Sequence, residues 1–157
     1  MNEPAGNSNG LLWIGWREWV SLPGLGIDRI KAKIDTGART SALHAFQIEA
    51  FREKGRDKIR FRIHPLQRRM DIEKTCVADL MDRRDVMDSG GHRERRYVII
   101  TPVNIGHQQW PVEITLTDRD IMNFRMLLGR TAMYGRMLIN PSESYLLGKP
   151  PLLRKRR

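Results

Sequence analysis

An aspartate followed by threonine and glycine, in Ile34-Asp35-Thr36-Gly37-Ala38, is the segment of this sequence best suited to chemistry. Just before it, Ile30, Ala32 and Ile34 alternate with Lys31, Lys33 and Asp35. Period-two alternation marks a half-buried strand, so Asp35 falls at a strand end. Gly37 can take dihedrals closed to other residues. A turn there presents backbone N–H donors to the carboxylate, and the Thr36 hydroxyl can brace a neighbouring loop. Asp-Thr-Gly is also an ordinary turn composition, in which aspartate and threonine bond their own backbone. The three residues alone leave both readings open.

Other reactive side chains are scattered. The four histidines, His44, His64, His92 and His107, lack the His-Glu-x-x-His spacing that puts two ligands on one helical face. His92 and Glu94 share a strand face if that stretch is extended. Each histidine nevertheless reads first as a surface or satisfied polar residue, and Cys76 has no cysteine partner. There is no Gly-x-x-x-x-Gly-Lys-Ser/Thr phosphate loop. The sequence therefore predicts no metal and no nucleotide cofactor. The densest charged stretch is His92-Arg93-Glu94-Arg95-Arg96-Tyr97. It reads as a solvated strand edge whose charges discourage unwanted pairing. It reads equally as a place where arginine's planar fork recognises carboxylates. On that second reading Arg39, Arg93, Arg95, Arg96 and Arg130 together line a site for an acidic peptide. Trp13, Trp16 and Trp19 fall at spacing three, but Gly15 and Pro23 disfavour a helix. Packing at a barrel end is the expectation for them rather than base stacking, because no aromatics interleave with basic residues along the chain.

These groups need elements to hold them. Alternation recurs at Ile59, Phe61 and Ile63, and at Trp110, Val112, Ile114 and Leu116. Further strands are expected at 12–20, 42–48, 75–80, 96–105 and 137–139, with breaks at Pro23-Gly24, Gly55, Ser89-Gly90-Gly91 and Asn140-Pro141. Only 118–123 and 130–134 look helical. Many short strands and little helix predict an all-β fold, a closed or nearly closed antiparallel barrel with one or two short helices. The 157 residues, 40% hydrophobic, suit one domain over 11–148, flanked by a flexible tail at 1–10 and a basic tail at 149–157. No apolar run approaches the roughly 20 residues that span a bilayer, and the first residues lack a secretory pattern. A single cysteine points to a reducing, cytoplasmic setting without membrane partners. The net charge of +10 fits nucleic-acid or ribosome affinity, attraction of an acidic peptide, or plain solubility. Composition does not choose among these.

A second segment adds weight to Asp35. Phe124-Arg125-Met126-Leu127-Leu128-Gly129-Arg130 is an apolar strand ending in glycine, followed by a short helical turn. Paired with Ile34-Asp35-Thr36-Gly37-Ala38, it resembles the retropepsin family of aspartic peptidases. The run from Lys31 to Ala45, the segments His64-Pro65-Leu66-Gln67 and Trp110-Pro111-Val112-Glu113-Ile114-Thr115-Leu116-Thr117, and the stretch from Asp88 to Tyr97 look like a bacterial branch of that clan. The branch is often labelled "ATP-dependent zinc protease" and is associated with an ATP-grasp glutamate ligase acting on a ribosomal protein. The resemblance runs from about Ile14 to Gly148. It implies a retropepsin-like barrel and hydrolysis of a peptide bond by water held between paired aspartates. Asp35 would supply one carboxylate, Thr36 would stabilise the paired loops, and Gly37 would let the backbone approach. The chain has one Asp-Thr-Gly; Asp88-Ser89-Gly90 is the only near-copy, and no apolar-apolar-Gly segment follows it. The resemblance therefore implies a homodimer in which each chain gives one Asp35. It also sharpens the acidic peptide into an oligo-glutamate tail. Two rivals stand beside this reading: a non-enzymatic ribosome- or nucleic-acid-associated module, and a regulatory partner of the glutamate ligase.

Overall fold

The computed structural model describes residues 10–65, 71–87, 90–118 and 123–153. The described residues are mostly strand, as the alternation predicted. In order come β1 (Leu12–Ile14), β2 (Arg17–Leu22), β3 (Ile27–Ile34), β4 (Ser41–His44), β5 (Phe46–Glu53), β6 (Arg56–Ile63) and β7 (Lys74–Asp79). They are followed by β8 (Asp82–Met87), β9 (Arg93–Ile105), β10 (Gln108–Thr117), β11 (Met126–Leu128), the single turn α1 (Arg130–Met133) and β12 (Met137–Ile139). The helical expectation at 130–134 is met by α1. The one at 118–123 lies mostly outside the described residues.

Seven strands form the main sheet in the order β10-β4-β11-β3-β2-β9-β8, and β10 also pairs with β9. That last pairing joins the ends, so the sheet curls into a ring with β8 attached outside it. Three ladders are parallel, β11 on β3, β10 on β4, and β1 on β12, where antiparallel pairing was expected. A second sheet, β5-β6-β7, stands beside the ring. Burial follows the two-residue period. Ile59, Phe61 and Ile63 of β6 are sealed while Arg60 and Arg62 face solvent. The core is one continuous cluster that includes Ile14, Ile30, Leu43, Phe61, Ile99, Ile114 and Leu128.

The stretch 12–20 is two strands rather than one. It breaks at Gly15, which packs against the Glu143 carbonyl where a side chain would not fit. At the break lies Glu18, a fully buried carboxylate. It accepts from the amides of Gly15 at 2.7 Å, Leu146 at 2.9 Å and Leu147 at 3.2 Å. Three amide donors satisfy a charge that burial would otherwise make costly. Packing continues past Gly148. Pro150 accepts from Arg29 at 2.7 Å, and the Leu153 amide donates to Asp28 at 2.8 Å. Among the described residues, no helix is long and apolar enough to cross a membrane.

Candidate active site

The topology decides where Asp35 goes. Strands β3 and β4 are consecutive in the chain, yet β11 lies between them, parallel to β3 and antiparallel to β4. Leu127 stands opposite Lys33 on one side and Ala42 on the other. The turn at 35–40 therefore has to step over the end of β11. The crossing is pinned by backbone bonds: the Asp35 amide donates to Leu128 O at 2.9 Å, Arg130 N to Ala38 O at 2.8 Å and Thr131 N to Arg39 O at 2.9 Å. The start of α1 thus bonds the turn carbonyls, and the turn and helix form one rigid piece.

Gly129 is what lets the two segments approach. A β-carbon there would lie 2.6 Å from the Thr40 carbonyl carbon and 2.7 Å from its oxygen. Its own amide donates to Ser41 Oγ at 3.0 Å, a buried bond. The Arg130 guanidinium donates to Thr36 O at 2.8 Å, clamping the turn from outside. Asp35 is half-buried, whereas Thr36 and Gly37 are exposed. Its Oδ1 accepts from the Gly37 amide at 3.0 Å, and its carbonyl accepts from Ala38 N at 3.2 Å. The Asx-type turn expected of these residues is present, and it hydrogen-bonds and aims the carboxylate. Among the described residues, no cation or second carboxylate is bonded to Asp35. The arrangement is a preorganised carboxylate at the surface of a braced loop.

Of the five arginines, the fold brings Arg39 and Arg130 to this turn, Arg130 as a brace and Arg39 with its side chain exposed. Arg96 is tied to Glu94 at 3.1 Å and donates to Thr115 Oγ1 at 3.5 Å. Thr115 in turn donates to Ser41 O at 3.3 Å, so Arg96 joins the scaffold that carries the turn. Arg93 and Arg95 are exposed and, by strand alternation, project from the opposite face of β9, across from Met87 and Asp85 of β8. The supports Ser41 and Thr115 escaped sequence reading. The hydroxyl run Thr40-Ser41 directly after the turn is the only local hint of the first. Asp88 lies outside the described residues.

The histidines have structural surroundings or lie open. Buried His44 meets the Asp118 carbonyl at 3.3 Å, and buried His64 stacks on Phe46 at 4.6 Å. His92 and His107 are exposed. Glu94, the partner considered for His92, is engaged by Thr117 at 3.1 Å and by Arg96. Among the described residues, no three His, Cys, Asp or Glu side chains gather where they could hold one metal ion. Cys76 faces inward with its Sγ 3.7 Å from Leu25 O. Burial pushes its thiol up to about 11, against the smaller opposing pull of Lys74. At neutral pH it is a buried thiol rather than a nucleophile.

Comparison with known proteins gives this geometry its context. The family described as RimB-like, retropepsin-like aspartic endopeptidase RimB, matches residues 13–150. Two relatives named "Probable alpha-L-glutamate ligase", from Shewanella pealeana and Shewanella halifaxensis, are each 46% identical over 136 residues, covering 87% of this chain and 30% of their own length. Another so named, from Desulfotalea psychrophila, is 43% identical over 136 residues, 87% of this chain and 29% of its own. The chain thus spans about 30% of the curated relatives it matches. A solved structure of a Legionella pneumophila protein of unknown function superposes with a TM-score of 0.71 at 21% identity, over 86% of this chain and 97% of that one. It shares the fold.

Proposed function

The chain belongs to the RimB-like family of retropepsin-like aspartic endopeptidases, and on that premise we propose that it is an aspartic-type peptidase in which Asp35 is half of a catalytic dyad. The observation that carries the reading is the insertion of Leu128-Gly129 beneath the turn, which holds Asp35 at a braced loop surface. The other half is Asp35 of a second copy. Two carboxylates brought together cannot both ionise, so the pair shares one proton. The ionised member takes a proton from the bound water as it attacks the scissile carbonyl carbon. The protonated member donates a hydrogen bond to the carbonyl oxygen, where negative charge develops. Collapse of the tetrahedral adduct breaks the C–N bond, and the acquired proton passes to the leaving amine.

The substrate proposed is an acidic peptide, in its sharpest form a glutamate-tailed one. The +10 charge and the exposed Arg39 support it, with Arg93 and Arg95 as further contacts should a partner subunit or a long substrate reach them. The buried thiol of Cys76 suits a reducing compartment. Asp35→Asn tests the reading: hydrolysis of a glutamate-tailed peptide should fall by at least about a thousandfold with the melting temperature unchanged. Undiminished cleavage would remove Asp35 from the chemistry, and equal cleavage of tailed and untailed peptides would remove the acidic specificity.

A second reading has its own support in the names of these relatives, each called "Probable alpha-L-glutamate ligase". On it the domain assists a ligase without cleaving anything. Stimulation of such a ligase by the Asp35→Asn protein, with no hydrolysis by the unaltered protein, would select it.

A further inference from the structure

The outer face of β2 and β3 interleaves cations with aromatic rings drawn from distant parts of the chain. Alternation turns Glu18, Val20, Ile30 and Ala32 inward, where all are sealed. Arg17, Trp19, Lys31 and Lys33 therefore share the outward face, with Arg17 opposite Lys33 and Trp19 opposite Lys31. The chain beyond β12 lays Tyr145 and Lys149 on the same face. The Arg17 guanidinium sits 4.5 Å from the centre of the Trp16 ring and 4.9 Å from that of Tyr145. Lys31 and Lys149 approach the Trp19 ring at 5.2 Å and 5.3 Å, and Trp19 lies 5.9 Å from Tyr145 at a 31° tilt. Among the described residues, no carboxylate forms an ion pair with Arg17, Lys31 or Lys149. By contrast Arg52, Lys58, Arg60 and Arg62 on the β5-β6-β7 sheet are each paired with an acid.

We propose that this face binds single-stranded nucleic acid, with Arg17, Lys31 and Lys149 meeting phosphates while Trp19 and Tyr145 receive unstacked bases. Charge complementarity favours a polyanion: Arg17, Lys31 and Lys149, which no described carboxylate neutralises, lie on one face of a chain carrying +10, where they attract a polyanion and release its counterions. The rings supply a second argument. Sequence-tolerant binders of single strands combine a basic track with aromatic platforms, since every base has a face to stack. An acidic peptide would use the cations but leave the rings without a role. The lysines hold Trp19 only by weak cation–π attraction, so a base can take the ring as a phosphate takes the ammonium. This surface does not depend on the chemistry assigned to Asp35.

The test is fluorescence anisotropy of the full chain with a labelled oligouridine of about 12 nucleotides, titrated between about 50 and 200 mM salt. Saturable binding is expected. Lys31→Glu with Lys149→Glu should weaken it at least tenfold and flatten the salt slope by roughly 1.4, two contacts at about 0.7 each. Trp19→Leu should weaken it about fivefold or more, and a duplex of equal length should bind less tightly. Lys54→Glu with Arg56→Glu, an equal charge change at the exposed β5-β6 turn, should leave affinity within about twofold. Thermal melts establish that each variant folds; Lys31→Gln with Lys149→Gln replaces the double reversal if it does not. No saturable binding, or an equal loss in the β5-β6 control, would overturn the proposal. So would oligo-glutamate displacing the RNA with Trp19→Leu as tight as the parent, which would make the face a dock for acidic chains instead.

Discussion

The amide of Asp35 donates to the carbonyl of Leu128 at 2.9 Å, joining a residue of the first third of the chain to one near its end. This bond fixes the turn across the inserted strand and so sets where the carboxylate points. Its neighbours are the places to perturb.

Gly129 is there for space rather than for backbone freedom. Gly129→Ala drives a methyl into the Thr40 carbonyl, so the turn and β11 must separate. Overpacking of this kind costs about 1–3 kcal/mol. Denaturant unfolding should show that loss. Any hydrolytic activity should fall far more than the remaining folded fraction, because the displaced part is the turn itself. A normal melting curve with normal activity would mean that the two segments are looser than this geometry requires.

Glu18 holds the junction of β1, β2 and the chain at 146–147 by accepting from three amides. Glu18→Gln replaces one acceptor oxygen with a donor that faces donors. A loss of about 2–3 kcal/mol is expected, measured as a shift in the denaturant midpoint at constant slope. A change below about 0.5 kcal/mol would show that the amides find other partners.

Cys76 gives a pH dependence with a definite sign. Burial raises the thiol pKa from 9.0 to about 11. The folded state therefore keeps a proton that the unfolded chain loses. Stability is fully present below about pH 9 and is lost progressively as pH rises towards 11. Part of the alkaline decline should disappear in Cys76→Ala when the two proteins are compared over that window. Parallel curves would show that the thiol does not contribute. Thiol reagents should also label Cys76 only on unfolding.

Much of the fold is legible in the sequence where one face of a strand is buried and the other is wet. β6 is read directly from Ile59, Phe61 and Ile63, and β12 falls at 137–139 as expected. β8 was hidden, since Asp82-Arg83-Arg84-Asp85-Val86-Met87 has little buried on either face and shows no apolar period. What holds it is its ladder with β9 and, in part, charge, since Arg84 pairs with Glu113 of β10. At the site, Asp35 and the segment ending in Gly129 were both visible. Their contact was not, because a parallel insertion between β3 and β4 leaves no local trace. The same reason hid Ser41 and Thr115 as supports. It also hid most of the aromatic and basic face: Trp16 and Arg17 adjoin in sequence, but Lys31 reaches Trp19 through strand register, and Tyr145 and Lys149 through the chain beyond β12.

The claim that Asp35 is half of a dyad is tested most directly by the separation of the two Asp35 carboxyl groups in a crystal structure of the dimer. A working dyad places facing oxygens within hydrogen-bond reach, about 2.6–3.2 Å. Carboxylates held well beyond that range in the assembly that cleaves peptide, or cleavage by a strict monomer, would contradict it.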